Sequence, residues 1–372
     1  MDRNEENEKK YASFVASRTN GNGMKTFHKT AVARVIDYSS RLVENQEKLT
    51  TRFMDIADII TEANYWAGKS GGELVKAEHV VQAIEQKHYR LSLIEDRMQE
   101  LIDSGTIHIA TDGKRVGEIN GLAVYSMDDY AFGKPSKISA RVSLGRGQLV
   151  NIERDTQMSG KVHNKGLMTL TGYMQGQYTQ EKPLSLTASI GFEQMYSEID
   201  GDSASSTELY SLISALSGIL LEQGIAVTGS VNQAGDVQAI GGGTFKIEGF
   251  FDVCKASGLT GTQGVMVPKD NLKNIMLRDD VVQAVKDRKF HIYAVATIDE
   301  GIEVLTEVVA GERQEDGSFP EGTVHHAVES RLDDFRKKAR DHVDSDDADS
   351  DDEDKKSDDK DASEEPEEST EG

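Results

Sequence analysis

The apolar residues of this chain change period near Ser104, and a chain that does so folds as two differently built parts. Up to that point the spacing is helical. Val32, Val35, Ile36, Leu42 and Val43 form one stripe, and Phe53, Ile56, Ile59, Ile60, Ala63 and Trp66 form a second that stops at Gly68 and the Gly71-Gly72 pair. Stripes over 77–90 (Val80, Val81, Ile84) and 92–102 (Leu93, Ile94, Met98, Leu101) follow. Together they predict a small helical bundle over residues 1–103.

Beyond it the apolar residues alternate. Ile107 and Ile109, then Val116, Ile119, Leu122 and Val124, read as short strands around an Asp112-Gly113 turn. Residues 138–144 and 149–152, joined by Gly145-Arg146-Gly147, predict a hairpin, and 166–173 and 184–192 predict two further strands. A strong helix over 204–220 carries Leu209, Leu212, Ile213, Leu216 and Leu220 inward. Strands over 225–231, 237–240, 264–267 and 290–295 then mix with helices over 247–256, 281–286 and 299–309. The fold class expected is α+β, a small helical bundle followed by an α/β domain over 104–310.

After Gly311 the pattern weakens, and residues 311–372 are expected to form an acidic, disordered tail, since 344–372 hold almost no aliphatic side chain to offset chain entropy. Residues 341–372 carry 17 acidic side chains against 3 Lys, so this end supplies most of the net charge of -23. Such a balance argues against a nucleic-acid or anionic-membrane binder, because phosphate contacts need Lys and Arg. The single Cys254 forms no internal disulfide, no apolar run approaches the roughly 18 residues of a membrane helix, and the charged N-terminus lacks a signal segment. A cytoplasmic protein is expected.

The stretch Asp200-Gly201-Asp202-Ser203-Ala204-Ser205 leads into the strong helix. A serine there sits among unpaired backbone N–H groups, which suit the oxyanion of an acyl-transfer intermediate. The same hydroxyls can simply cap the helix, and Ser205 with Glu208 fits a capping box. A nucleophilic serine needs a base. His163 and His291 are candidates for a Ser-His-Asp triad, although a surface or strand position is the simpler explanation of each. Lys246 stands between the Gly241-Gly242-Gly243 turn and the apolar Ile247, Phe250 and Phe251, where burial can depress its pKa toward neutrality; the alternative is a solvated first-turn lysine. Gly68-Lys69-Ser70 lacks the upstream Gly of a phosphate loop, with Ala63 in its place, and no zinc-ligand spacing occurs.

Asp-Gly-Asp-Ser-Ala-Ser at 200–205, Thr228-Gly229-Ser230, and Ile-Gly-Gly-Gly-Thr-Phe-Lys at 240–246 resemble the proteolytic domain of Lon proteases, and the likeness extends over about 10–310. It implies Ser203 as nucleophile, Lys246 as general base and Thr228 as the hydroxyl that orients the lysine, with Asp200, Gly201, Asp202 and Ala204 shaping the nucleophile turn. The first hundred residues resemble the lid subdomain of the family's AAA+ ATPase, with Arg52 placed toward nucleotide phosphates. The resemblance implies polypeptide substrates, a homo-oligomeric (hexameric) ring, and neither a nucleic-acid nor a membrane partner. No phosphate-loop unit precedes the lid, so no cofactor is expected in this chain, ATP and magnesium entering only through a separate ATPase chain. Phe245 stands where the family usually has Glu, which leaves a catalytically silent Lon-fold assembly module for a partner ATPase as the alternative.

Overall fold

The computed structural model describes residues 1–21, 23–127, 130–145, 147–179 and 186–340. The N-terminal part is helical: α1 (Glu5–Thr19), α2 (Lys29–Arg41), α3 (Phe53–Lys69), α4 (Ala77–Leu91) and α5 (Leu93–Asp103). The stripes predicted on α2, α3 and α4 converge: Val35, Ile56, Ile59, Ile60, Ala63 and Val80 are fully buried with Tyr11 of α1. The Tyr11 hydroxyl accepts a hydrogen bond from Ser39 at 2.7 Å, which satisfies that polar atom within the apolar bundle.

The second part runs β1 (Lys114–Arg115), β2 (Glu118–Met127), β3 (Tyr130–Leu144), β4 (Gln148–Asn151), α6 (Ile152–Asp155), α7 (Lys161–Tyr178) and β5 (Leu186–Phe192). It continues with α8 (Ser205–Ser217), β6 (Leu221–Glu222), β7 (Ile225–Val227), β8 (Ser230–Val231), β9 (Val237–Gln238) and α9 (Gly243–Ser257). After these come β10 (Gly264–Pro268), α10 (Asp279–Lys286), β11 (His291–Val295), α11 (Ile298–Thr306) and α12 (324–340). One seven-stranded mixed sheet, in the order β11-β10-β7-β2-β3-β5-β4, organises the domain. Its long β2–β3 hairpin is antiparallel, while β7 pairs parallel with both β2 and β10.

Residues of opposite parity on β2 serve opposite faces. Ile119 belongs to the core formed with α7, α8, α11 and α12, and Leu122 to the core formed with α9 and α10. The helices beginning just after Ser203 and just before Lys246 therefore lie on opposite faces of the sheet.

Three sequence expectations are corrected. Residues 166–173 are not a strand but the middle of α7, with His163, Leu167, Leu170, Tyr173 and Met174 buried at helical spacing. Residues 138–144 and 149–152 do not form a hairpin: β5 lies between β3 and β4, and β4 pairs with β5 in parallel. Parallel pairing needs a crossover, here α6 and α7, instead of a tight turn. The disordered tail expected over 311–372 does not hold for its first part, because α12 buries Val324, Val328, Leu332 and Phe335 in the main core. Residues 341–372, the rest of that expected tail, lie outside the described residues. Among the described residues no helix is long and apolar enough to cross a membrane.

Candidate active site

Ser203 occupies the turn that enters α8, half-buried, at the point where Gly201 takes φ +101°, a conformation open to glycine but strained for an L side chain. The helix-capping explanation of these hydroxyls fails. Ala204 is the N-cap of α8 and supplies no side-chain cap. Ser205 Oγ instead accepts the Val231 N–H at 3.0 Å, and Glu208 turns into the core beside Asn151 and His163, so the expected capping box does not form. Among the described residues the backbone N–H groups of Asp202, Ser203 and Ala204 make no intramolecular hydrogen bond, as expected of a helix entrance without a cap.

The turn is pinned from several sides. The Gly229 N–H donates to the Ser203 carbonyl at 2.8 Å, and the Thr228 hydroxyl donates to the same oxygen at 3.2 Å. The Ser230 hydroxyl donates to Asp202 Oδ2 at 3.0 Å. Asp200 is exposed and accepts N–H bonds from Gly201, Val162 and His163, so it caps α7 and ties that helix to the nucleophile turn. Those backbone hydrogen bonds hold its pKa below the usual carboxylate value.

Lys246 arrives from the other face of the sheet in the first turn of α9. Its Nζ donates to Ser203 Oγ at 2.9 Å and to Thr228 Oγ1 at 3.0 Å. Thr228 follows β7 directly, so the three side chains meet beyond the carboxyl end of a central parallel strand, where helices from the two faces of a sheet part and leave a crevice. The lysine is 3% exposed. Burial disfavours its ammonium form and brings the pKa down to about 8, against the opposing charges of Glu44 and Asp202.

The position of Lys246 depends on two glycines that sequence reasoning missed. A Cβ on Gly133 of β3 would stand 2.0 Å from the Phe245 carbonyl oxygen, and one on Gly249 would stand 2.2 Å from the Gly133 oxygen. α9 thus lies directly on the β3 backbone. A strand glycine of this kind marks close backbone approach, the one local signal that could have pointed to it.

The other candidates lie apart. His163 is buried, with Nδ1 2.8 Å from Ser159 Oγ and Nε2 3.3 Å from Glu208 Oε1. His291 pairs with the Gly261 carbonyl at 2.8 Å. Among the described residues neither is hydrogen-bonded to Ser203, so the Ser-His-Asp candidates are not assembled. Arg52, 66% exposed, pairs with Asp55 at 3.3 Å beside a cleft of about 310 Å³ whose lining includes Phe245 but neither Ser203 nor Lys246.

Comparison with known proteins agrees with this architecture. Residues 26–90 match the family model described as the archaeal LonB AAA+ ATPase lid domain, and 197–308 match that of the Lon protease (S16) C-terminal proteolytic domain. The chain is 39% identical over 253 residues to a protein of Escherichia coli (strain K12) named "Putative Lon protease homolog", which covers 68% of this chain and 43% of that one. It is 37% identical over 264 residues to the Haemophilus influenzae protein of the same name, covering 70% and 43%. To the archaeal Lon protease of Archaeoglobus fulgidus it is 28% identical over 305 residues, covering 81% and 46%. The matched region is less than half the length of each of these relatives. The chain thus carries a Lon-type AAA+ lid domain followed by a Lon-type proteolytic domain.

Proposed function

We propose that this chain is a Lon-type serine endopeptidase that cleaves unfolded or flexible polypeptides with a Ser203–Lys246 dyad. The observation that carries the reading is the 2.9 Å hydrogen bond between Lys246 Nζ and Ser203 Oγ in a setting that brings the lysine to about pKa 8. A neutral lysine accepts the serine proton as Ser203 Oγ bonds to the substrate carbonyl carbon, and the N–H groups of the nucleophile turn receive the oxyanion. As the C–N bond breaks, the lysine returns that proton to the leaving amine. Water then attacks the ester, giving its proton to Lys246, which passes it to Ser203 as the acid departs. Thr228 donates to the Ser203 carbonyl and accepts from Lys246, which fixes the direction of the lysine's remaining donors.

The family resemblance extends the reading to a homo-oligomeric ring and to a lid whose Arg52 serves a nucleotide bound with an ATPase partner. Cleavage of a fluorescently labelled unfolded protein without ATP tests the chemistry. The dyad predicts activity that is lost in Ser203→Ala and Lys246→Ala and that rises from pH 6 to 9. Activity kept in Lys246→Ala, or a flat pH profile, refutes the dyad. An inactive wild-type chain favours the silent assembly module.

A further inference from the structure

The dyad leaves a second buried lysine without a role. Lys134 of β3 is 7% exposed, yet among the described residues it makes no hydrogen bond and no ion pair. Its Nζ stands 5.7 Å from the centre of the Tyr125 ring, a cation–π contact that supplies no counter-charge. Lysines covered to this degree are ordinarily paired, because burial disfavours an isolated ammonium. Nζ is not among the unpartnered side-chain atoms sealed inside the protein, so the stem is covered while the tip stays open.

The register sets this lysine beside the nucleophile. α8 runs antiparallel to β2: the Gly117 N–H donates to Ser214 Oγ at 2.9 Å near the end of the helix, and a Cβ on Gly121 would stand 3.6 Å from Thr207 near its start. Ser203 precedes Thr207 by four residues, about 6 Å of helix rise or about two residues of strand, which brings it level with Ala123. The other neighbour of β2 agrees. Gly121 pairs with Val227, and Gly229, two residues on, donates to the Ser203 carbonyl. Ala123 pairs with Lys134, and residues 121, 123 and 134 share the α8 face of the sheet, whereas Gly133 faces α9. Lys134 therefore rises from the face that carries Ser203, two strands from Gly229, or roughly 10 Å at ordinary strand spacing. β5 leaves β3 at the Ile138–Phe192 pair, and the chain then leads to the nucleophile turn, with the Tyr125 hydroxyl donating to Met195 Sδ at 3.6 Å on the way. The carboxylates of that turn are engaged elsewhere, Asp202 with Ser230 and Asp200 with backbone N–H groups.

We propose that Lys134 is a specificity-determining residue: its ammonium receives a carboxylate of the polypeptide bound at Ser203, an acidic side chain or a free chain end within about three residues of the scissile bond. The inference rests on the peptidase reading and adds the chemistry of its substrate. An ammonium already stripped of much of its water, with no counter-charge in the free protein, gains more from a carboxylate than a solvated lysine does. Burial lowers the Lys134 pKa, in keeping with that setting.

The test gives the full chain quenched fluorescent peptide pools, capped at both ends and randomised except for one fixed position that carries Glu or Gln. Wild type is expected to cleave the Glu pool about tenfold faster, as kcat/KM, at a fixed position near the cut. Lys134→Met should lose that ratio and Lys134→Arg should keep most of it. A gain on freeing the C-terminal cap that is lost in Lys134→Met assigns the carboxylate to a chain end instead of a side chain. Equal rates for Glu and Gln pools at every position, capped and free, or a Glu preference kept in Lys134→Met, overturn the inference and leave the dyad standing. Cleavage that is absent from wild type, or kept in Ser203→Ala, refutes the Ser203 peptidase reading. Binding of labelled Glu and Gln peptides to Ser203→Ala, with and without Lys134→Met, then decides the carboxylate site apart from the chemistry: an affinity ratio that Lys134→Met leaves unchanged overturns it. Circular dichroism identifies any variant that has simply unfolded, and Lys134→Arg, which keeps the charge, guards against a loss of shape alone.

Discussion

Replacing Lys246 by methionine should abolish activity yet stabilise the protein near neutral pH. The lysine is buried and its pKa is brought from 10.5 to about 8, so holding it charged in the folded state costs about 3 kcal/mol relative to the unfolded chain. The sign follows from proton counts. Between pH 8 and 10.5 the unfolded chain binds the proton and the folded chain does not, so wild-type stability rises with pH by about 1.4 kcal/mol per unit in that window. Below pH 8 both states are protonated and the whole cost is present. Methionine fills much the same volume without the charge, at the loss of the hydrogen bonds to Ser203 and Thr228, worth about 1 kcal/mol together where Ser203 can turn to water.

The net expectation is a variant more stable by about 2 kcal/mol at pH 7 and close to wild type by pH 10. Urea unfolding followed by circular dichroism at pH 7, 8, 9 and 10, analysed as the difference between the two proteins, cancels titrations they share. A difference that stays constant from pH 7 to 10 refutes the reasoning, since it would mean that Lys246 titrates near an ordinary lysine value.

Two further outcomes follow from the geometry. Gly133→Ala sets a methyl against the backbone of Phe245 and Lys246, so it should destabilise by about 3 kcal/mol and slow Ser203 labelling at least tenfold by displacing α9; a stable variant labelled at the wild-type rate would show that the helix yields without moving its lysine. Burial alone would lower the His163 pKa, but Glu208, with Glu153 and Asp200 beyond it, raises the pKa above the usual histidine value. Its stabilisation is fully present below about pH 6.5 and is lost as pH rises through the raised value, so His163→Asn should cost more at pH 5.5 than at pH 8.5, and an equal cost by urea unfolding would sink that account.

The parts of the candidate site are legible in the sequence because they are short motifs. Ser203, Thr228 and Lys246 each sit beside glycines in segments whose residue types already suggest a strand end or a helix start, and the structure brings the three together. What stayed hidden depends on long-range packing. Glu44 is 202 residues from Lys246 in sequence, and nothing in the loop around it announces a partner. Gly133 looks like a weak point in a strand until α9 is laid against it. Within α7, where 166–173 reads as a strand, Gly166 and Gly172 interrupt the helical pattern. Both glycines serve close approaches, since a Cβ at Gly166 would meet Asp202 and Ser205 and one at Gly172 would meet Gln233. The apolar stripe of α12 is thin against many charges, although Val324, Val328, Leu332 and Phe335 keep helical spacing.

The cost of a buried lysine also explains why it is mounted on α9. That helix buries Ile247, Phe250, Phe251 and Cys254 in the core shared with α10 and the sheet. Each large apolar side chain contributes about 1.5–3 kcal/mol, which together exceeds the cost of the ammonium and keeps the lysine from escaping by unwinding the turn. Burial alone would take the lysine lower still, and in the proposed dyad that is toward a base too weak to hold the serine proton in the transition state. Asp202 and Glu44 oppose that drift, one from the turn that carries the nucleophile and one from the lid. A lid displaced by a few ångströms would withdraw Glu44's charge and leave Lys246 with Asp202 as its opposing carboxylate. The lysine's proton affinity is in that sense a property of the lid's position as well as of the proteolytic domain.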